Sequence, residues 1–474
     1  MQSNISENKS LLQKKDANTT EHSLYEKREK IYPREVHGRF ALLRTLSVVV
    51  LLSLYFILPW LEMEGRQIVL FDLPARKFYV FWLTFWPQDF LLLAFLLILA
   101  AFTLFFFTAL AGRLWCGYAC PQTVWTEVYL WIERKVEGSR IKQMKLDKAG
   151  LSVDKIIRKT IKHFLWFLIA GATAVTYVSY FTSEEILSQN LFSLQLGGWE
   201  FFWIAFFTLA TYINAGWMRE QVCKYMCPYA RFQSAMFDKN TLIISYDEKR
   251  GEPRGSRRSD AHTDYKQKAL GDCINCTMCV QVCPTGIDIR DGLQYECIGC
   301  SACIDVCDDV MDKMSYPKGL IRYTTQNTID GKPSRILRPR IFVYMAILAV
   351  FSSLFIYSVS QRNSIDLDII RDRNQLYRET SGLIENIYTL KLINMDNQDH
   401  VFEISAEGIG GLILLIDKEV VTVKAGSVFD LPVRLRAKEE NLKARSTNIY
   451  FTLTNKDSKD HSITQTGKFL GPLL

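Results

Sequence analysis

Residues 271–309 read GDCINCTMCVQVCPTGIDIRDGLQYECIGCSACIDVCDD. The stretch contains eight cysteines in two runs of four, and both runs have the spacing Cys-x-x-Cys-x-x-Cys-x-x-x-Cys. Three closely spaced thiolates can wrap one cubane iron–sulfur cluster within a tight loop, whereas the fourth lies one helical turn further on and faces a second cluster. Pro284 follows the first run and Asp308 follows the second, so the two runs differ in the turn after the last cysteine.

This spacing is that of bacterial two-cluster ferredoxins, and it predicts two [4Fe–4S] clusters that exchange their fourth ligands. Two zinc sites or a disulfide framework are the alternatives, but zinc ribbons use two separate pairs of cysteines rather than two runs of four. The predicted ligands are Cys273, Cys276, Cys279 and Cys307 for one cluster, and Cys283, Cys297, Cys300 and Cys303 for the other.

The rest of the chain has the composition of a membrane protein. It has 474 residues, far more than a ferredoxin module requires, and 13% of them are aromatic. Five nearly uncharged segments are each long enough to cross the hydrocarbon core of a bilayer. They lie at about residues 40–61, 90–110, 163–181, 199–217 and 341–359. The segment at 71–90 is rich in aromatic residues and contains two prolines, which predicts a hairpin or interfacial segment between the first two spans.

The remaining four cysteines lie in two Cys-x-x-x-Cys-Pro boxes, Cys116/Cys120 and Cys223/Cys227, each of which follows a pair of spans. This internal repeat predicts that the boxes lie at equivalent depths in the membrane domain. The proline suits the first turn of a following helix, whose dipole would stabilise a thiolate on the second cysteine of each box. Arg113 and Arg219 lie nearby and are expected to add to this stabilisation. Four soft thiolates could bind Cu(I) or ligate a third iron–sulfur cluster, and buried structural cysteines are the third possibility.

After residue 361 the pattern changes to short alternating strands, with candidates at 385–394, 401–406, 429–435 and 449–453. Alternation of this kind over about a hundred residues predicts a β-sandwich. The segment contains no cysteine and therefore no disulfide. We interpret it as a docking domain for an outer-surface partner or as a stabilising cap.

Charge placement predicts the orientation, although the net charge of +7 is modest. The segment before the first span and residues 112–162 are rich in Lys and Arg, whereas the loop at 183–198 has neither, so the basic segments are expected inside. All 12 cysteines belong to the motifs above, and reduced metal-binding cysteines are typical of the cytoplasm. The basic stretch at 249–258 indicates a solvated loop near anionic lipid rather than a nucleic-acid site. The six histidines lack the paired arrangement within the spans that a membrane haem needs.

Together these patterns predict a multidomain membrane protein of the bacterial inner (cytoplasmic) membrane. Its parts are an α-helical transmembrane bundle of five spans, a ferredoxin-like α+β domain and a C-terminal all-β sandwich. The predicted boundaries are a disordered cytoplasmic tail at 1–37, a four-span membrane domain at 38–245, the cytoplasmic dicluster domain at 246–335, a fifth transmembrane helix at 336–361 and a periplasmic β-domain at 362–474.

The order of these parts along the chain resembles that of the cytochrome c oxidase accessory family of the CcoG/FixG/RdxA type. The parts are two CxxxCP boxes after paired spans, a dicluster ferredoxin, a fifth span and an outer β-domain. The motif RGEPRG at 250–255 also resembles that family. The resemblance implies an immunoglobulin-like C-terminal domain and a role in assembly of cbb3-type haem–copper oxidase by reduction of Cu(II) to Cu(I). The implied copper-binding and catalytic residues are Cys116, Cys120, Cys223 and Cys227. The implied partners are oxidase subunits or a copper transporter or chaperone.

Three functions compete at this point. The first is a membrane cupric reductase and assembly factor that contains two [4Fe–4S] clusters and takes electrons from an unknown donor. The second is a quinol-oxidising membrane ferredoxin subunit of a respiratory chain, a class that also carries two CxxxCP boxes. The third is a non-enzymatic copper chaperone or scaffold whose clusters only sense the redox state. The fifth span and the outer β-domain favour the first.

Overall fold

The computed structural model describes residues 30–63, 65–257, 270–362, 365–372, 375–380, 382–396, 398–418, 420–442, 444–456 and 462–472. The predicted tail at 1–37 therefore lies mainly outside the described residues. The chain divides into two compact units. The first comprises Met1–Ile57, Leu104–Val178 and Leu196–Ile341, and the second comprises Leu58–Thr103, Ser179–Gln195 and Phe342–Leu474.

In the described part of the chain, five helical stretches are long and apolar enough to cross a membrane. They are Arg39–Trp60, Pro87–Ala111, Val153–Ser179, Gly198–Met218 and Pro339–Ser360, which confirms the prediction of five spans. The first, second and fifth have no pronounced polar face, as expected for helices that cross a membrane. The third span begins earlier than predicted, at Val153, because a basic amphipathic segment extends the helix on the N-terminal side of His163. The fourth begins where the Glu200 carboxylate accepts a hydrogen bond from the backbone N–H of Gly197, at 2.9 Å.

The helices, in chain order, are α1 Arg39–Ile57, α2 Phe90–Ala111, α3 Leu114–Tyr118, α4 Pro121–Glu137, α5 Arg140–Lys148, α6 Val153–Ser179, α7 Glu184–Phe192, α8 Gly198–Thr211, α9 Pro228–Met236, α10 Glu248–Gly251, α11 Met278–Gln281, α12 Ala302–Lys313, α13 Gln326–Ile329 and α14 Pro339–Ser360. Two π-helical turns, Tyr212–Met218 and Val222–Met226, follow α8. The helix predicted after the first box is present as α4, on which Val124 is buried and Trp131 is exposed.

Within the first unit, the cysteine-rich segment is framed by strands β6 (Ile243–Tyr246) and β7 (Ile321–Thr324), which pair antiparallel with Ile244 opposite Tyr323. Helix α11 carries Cys279 and helix α12 carries Cys303 and Cys307. Their apolar sides pack with the two strands in one core, which is the ferredoxin-like α+β part of the fold.

The second unit contains the segment between the first two spans and the C-terminal domain. Strands β1 (Glu62–Met63) and β2 (Arg66–Gln67) pair with each other, and β3 (Val69–Asp72), β4 (Lys77–Val80) and β5 (Leu83–Phe85) form a three-stranded antiparallel sheet. The hairpin predicted at 71–90 is therefore present. Within this unit, Lys77 donates a hydrogen bond to the carbonyl oxygen of Gly426 at 2.6 Å.

The C-terminal domain is a sandwich of two antiparallel sheets, as predicted. Its strands are β8 Ile365–Arg371, β9 Arg378–Thr380, β10 Leu383–Asn394, β11 His400–Glu407, β12 Ile413–Leu415, β13 Val420–Val423, β14 Val428–Lys438, β15 Ser446–Asn455 and β16 Ser462–Leu470. One sheet has the order β12-β14-β10-β8 with β9 beside β10, and the other has the order β13-β11-β15-β16. Alternate residues of both sheets, such as Tyr388 and Phe451, point into a shared buried core.

Candidate metal centres

Two small cavities in the first unit are lined by the cysteines of residues 271–309. Cys273, Cys276, Cys279 and Cys307 line the first cavity. Cys283, Cys297, Cys300 and Cys303 line the second, whose wall also includes Cys279. The structure thus brings together the same two sets of four that the spacing assigns to two clusters. All 12 cysteines of the chain are free thiols in the structure, which leaves them available as ligands.

The two cysteine-bearing loops repeat the same backbone conformation. Asn275 and Thr277 flank Cys276 with φ of 53° and 57°, and Gly299 and Ser301 flank Cys300 with φ of 70° and 62°. Left-handed residues of this kind turn the chain tightly and create concave sites lined by backbone N–H groups, which suit an anionic cluster. Four soft sulfurs around each cavity and a loop of this shape fit a [4Fe–4S] cluster.

Burial makes these thiols weak acids when no metal is bound. It raises the pKa of Cys303 well above its ordinary value, and the neighbouring thiols of the same set raise it further. The pKa of Cys307 rises to about 12 for the same reasons. Metal binding must therefore displace protons from these sites.

The four box cysteines also lie together in the first unit. Cys116 is within α3, and Cys223 is within the π-helical turn Val222–Met226. Cys120 and Cys227 have extended backbone conformations and immediately precede the prolines that begin α4 and α9. A negative charge on any of the other three thiols would raise the pKa of Cys116, so all four lie within electrostatic reach of one another.

The first cysteine of each box, to which the thiolate prediction did not apply, is a weak acid, and one of the two predicted arginines has another partner. Partial burial raises the pKa of both Cys116 and Cys223 to about 12, and the opposing attraction of Arg113 is smaller than the effect of burial. Arg219, which we expected to stabilise a thiolate, instead forms an ion pair with Glu133 at 2.8 Å. The first cysteine of each box is therefore a neutral thiol near pH 7 unless a cation binds.

Gln233 is the polar neighbour of the first box. It is fully buried, and its Oε1 accepts a weak hydrogen bond from Cys116 Sγ at 3.4 Å. Its Nε2 makes no hydrogen bond of ordinary geometry among the residues described, although the Tyr229 hydroxyl is within interaction range of Gln233. A buried amide donor of this kind can be satisfied by a ligand or water bound at the boxes.

The boxes do not form a preformed chelate for one ion. Within the described ranges, no three His, Cys, Asp or Glu side chains converge closely enough to hold a single metal ion. The same is true of the two cysteine cavities, whose thiols also do not converge on a single point. This is expected of a cluster site, because each sulfur around a cubane binds a different iron and the sulfurs stay further apart than around one ion.

The first box is in direct contact with the loop of the second cysteine cavity. An added Cβ at Gly117, in the middle of the box, would lie 2.7 Å from the carbonyl oxygen of Gly299 and 3.0 Å from Cα of Cys300. Arg113, just before the box, donates hydrogen bonds to the carbonyl oxygens of Tyr295 and Cys297. Sequence reasoning missed this contact, for which the glycines in CGYAC and CIGC were the available signal.

Two further contacts fasten the cysteine-rich segment to the first span. Asp305 accepts hydrogen bonds from the backbone N–H groups of Phe40 at 3.2 Å and Ala41 at 2.7 Å, so it caps the start of α1. Arg44 of α1 donates a hydrogen bond to the carbonyl oxygen of Cys300.

A buried ion-pair network supports α4. Glu133 is 1% exposed and pairs with Arg219, and Lys30 reaches the same carboxylate at 3.3 Å. Glu137 pairs with Lys162 at 2.9 Å. Burial alone would raise the pKa of Glu133, but Arg219, Lys30 and Lys162 outweigh it and hold that pKa below its ordinary value.

Comparison with known families agrees with these features. Residues 93–138, which include the first box, match a family described as a 4Fe-4S binding domain. Residues 218–326 match a 4Fe-4S dicluster domain. Residues 355–472 match the IG-like fold at the C-terminal of FixG. With five apolar helices, these matches define a membrane-associated iron–sulfur electron-transfer protein.

Individual relatives identify the family. The chain is 38% identical over 424 residues to the nitrogen fixation protein FixG of Rhizobium meliloti, covering 81% of this chain and 80% of that protein. It is 39% identical over 416 residues to protein RdxB of Cereibacter sphaeroides, covering 85% of this chain and 87% of that protein. The chain belongs to the FixG/RdxA family, and the predicted resemblance is confirmed. A crystal structure of a FixG-related protein from Vibrio parahaemolyticus aligns with 24% of this chain and 100% of its own, with 33% identity and a TM-score of 0.22.

Proposed function

We propose that this protein is a membrane cupric reductase that supplies Cu(I) for assembly of a cbb3-type cytochrome c oxidase. The observation that carries the proposal is the contact of Gly117 with Gly299, because it places a pair of thiols directly against the loop that carries Cys300. Each [4Fe–4S] cluster, when bound, would supply one-electron transfer. The box cysteines Cys116, Cys120, Cys223 and Cys227 would bind the copper substrate.

Thiol chemistry favours this direction of reaction. Soft thiolate sulfur prefers Cu(I) to Cu(II), so binding at the boxes raises the reduction potential of copper. One electron converts one Cu(II) to Cu(I), and copper binding displaces the thiol protons. Arg113, close to both Cys116 and Cys223, offsets part of the negative charge that the thiolates bring.

The boxes present no closed single-ion chelate among the described residues, a property that a transit site for copper would share with a cluster site. A site that must release its copper to a partner gains nothing from four preformed, converging ligands. Two or three of the four thiols would close on the ion as it binds and would separate again on transfer. An oxidase subunit, a copper transporter or a chaperone would receive the ion.

The same proposal includes the side of the membrane on which each domain lies, which we infer from the distribution of Lys and Arg between the loops. In this proposal the boxes and the cluster loops lie on the cytoplasmic side of a bacterial inner membrane and the sandwich lies in the periplasm, as the positive-inside rule favours. The sandwich would then be the part that docks onto an outer-surface partner such as the oxidase.

The test uses anaerobically purified full-length protein, a chemical reductant, Cu(II) and a chromogenic Cu(I) chelator. We expect the parent to produce Cu(I) and a variant with all four box cysteines changed to alanine to lose copper binding while it keeps its iron and sulfide. Cys300→Ala should have the opposite effect, with copper bound and reduction stopped. If the four-cysteine variant binds and reduces copper as well as the parent, the proposal is wrong.

The same preparation separates two alternatives. The match of residues 93–138 to a 4Fe-4S binding domain favours a third cluster at the boxes as the second candidate. Two clusters correspond to about eight iron atoms per chain and three to about twelve. A value near twelve that falls to eight in the four-cysteine variant would replace copper by iron at the boxes and would favour a quinol-oxidising respiratory subunit.

A further inference from the structure

A large cavity of about 980 Å³ lies within the first unit. One wall is the face of α1 formed by Val48, Val49, Leu52 and Phe56. The opposite wall comes from α4, and the floor is built by residues 31–38 and the second cysteine loop. The volume lies at the upper end of the range for ligand sites, large enough for a ring and several isoprene units.

The cavity changes in character along its length. Around the start of α1 its lining is polar and includes Arg34, Glu35, His37 and Arg44. From Val48 to Ile57 the lining on α1 is apolar except for Ser53, a distance of about 14 Å at 1.5 Å per residue. A site of this shape fits a molecule with a compact polar head and a long apolar tail.

The polar end adjoins both redox-active parts of the molecule. Cys223 of the second box lies in its wall, and so does Cys300. Cys300 also lines the second cysteine cavity, so a single residue separates a bound head group from that site. A phospholipid has the same polar head and apolar tail, but its head group gains nothing from proximity to Cys223 and Cys300 because it is not redox-active. A redox-active head group at this position would be close enough to exchange electrons with a group held by these cysteines.

We propose that this cavity binds a membrane quinol and that the quinol is the electron donor of the protein. Oxidation of one quinol to quinone breaks two O–H bonds and releases two electrons and two protons. The two sets of four cysteines would hold the two one-electron acceptors, and two Cu(II) ions would finally be reduced. Glu127 lines the cavity and is paired with Arg134 at 2.8 Å, so its carboxylate would accept protons there. The last acceptor rests on the proposed function, whereas quinol binding does not.

Binding is tested on the full-length protein in nanodiscs with a photoreactive short-chain quinone, and labelled peptides are mapped by mass spectrometry. We expect labels on α1 and α4. Leu52→Trp fills the apolar half of the cavity and should weaken binding at least tenfold. Leu54→Trp is the matched control, because Leu54 is exposed on the same helix and does not line the cavity, and its affinity should equal that of the parent.

A second readout follows reduction of the clusters by a short-chain quinol, through loss of their visible absorbance and the rise of EPR signals, with no copper present. The first-box variant Cys116→Ala/Cys120→Ala, whose two residues do not line the cavity, should be reduced as fast as the parent, and Leu52→Trp more slowly. Cluster reduction without copper reduction would contradict the proposed function alone. Labels outside the cavity, equal binding by Leu52→Trp, or a bound phospholipid that quinol does not displace would overturn the inference.

Discussion

Gly117→Ala tests whether the first box must touch the second cysteine loop. The added Cβ would lie 2.7 Å from the carbonyl oxygen of Gly299 and 2.9 Å from its carbonyl carbon. These are backbone atoms, so no side-chain rotation can relieve the clash. The shorter distance is about 0.7 Å below the 3.4 Å at which ordinary contact begins, and the box and the loop must separate by that amount.

The expected magnitude follows from two opposing effects. Overpacking of a tight contact costs about 1–3 kcal/mol. Alanine is favoured over glycine in the helical turn Leu114–Tyr118 by about 0.5–1 kcal/mol, because it loses less backbone entropy on folding. The net loss in the free energy of unfolding should be about 1–2 kcal/mol, and electron transfer from the loop to a copper ion at the box should slow.

Two measurements on Gly117→Ala are needed: the free energy of unfolding by denaturant, and the rate at which Cu(II) re-oxidises pre-reduced protein. Gly171→Ala is the matched control, since a Cβ at Gly171 meets nothing within 4 Å in helix α6. That control should keep the parent's rate and should be equally or slightly more stable. Parent-like stability and rate in Gly117→Ala would show that the contact neither packs tightly nor carries electrons.

Three further predictions concern the contacts that hold the site. Arg219→Ala leaves the Glu133 carboxylate buried with weaker compensation, so unfolding by denaturant should show a loss of about 3 kcal/mol, and adding Glu133→Gln should recover part of it. Because the pKa of Glu133 is lowered in the folded protein, its carboxylate contributes to the free energy of unfolding above the ordinary value of 4.5, and this contribution is lost as the pH falls through the lowered pKa. The Glu133→Gln variant should therefore lose less stability than the parent on acidification, as measured by denaturant unfolding at several pH values. Equal acid sensitivity of the two proteins would contradict this prediction. Asp305→Ala removes the acceptor for two backbone N–H groups at the start of α1 and should cost about 1–3 kcal/mol, with faster hydrogen exchange at Phe40 and Ala41 as the specific readout.

The features that sequence reasoning found are those whose cause is local in the chain. Cysteine spacing determines which thiols one loop can bring together, so the two sets of four could be assigned without a structure. Uncharged segments of about 20 residues identify the spans. Alternating residues in Val428–Lys438 and Ser446–Asn455 identify strands of a half-buried sheet.

The features that it missed depend on residues distant in sequence. Nothing near Asp305 in the chain indicates that it caps a helix that begins at Arg39. The early start of α6 reflects the pairing of its basic turn with acidic residues of α4, as in the Lys162–Glu137 pair. The strand Ile243–Tyr246 lies before the predicted start of the dicluster domain at 246, yet it pairs with Ile321–Thr324. Pairing partners of this kind are chosen by three-dimensional packing, which a pattern along the chain does not encode.

The position of Cys300 connects the two proposals. It lies in the wall of the quinol cavity and in the wall of the second cysteine cavity, and the loop that carries it touches Gly117 of the first box. Electrons would therefore enter and leave at the second set of cysteines, and the first set would lie off this direct route. A quinol gives two electrons, but each Cu(II) takes one. The first set, Cys273, Cys276, Cys279 and Cys307, then has a reason to be present, because its cluster site can hold the second electron until another Cu(II) binds.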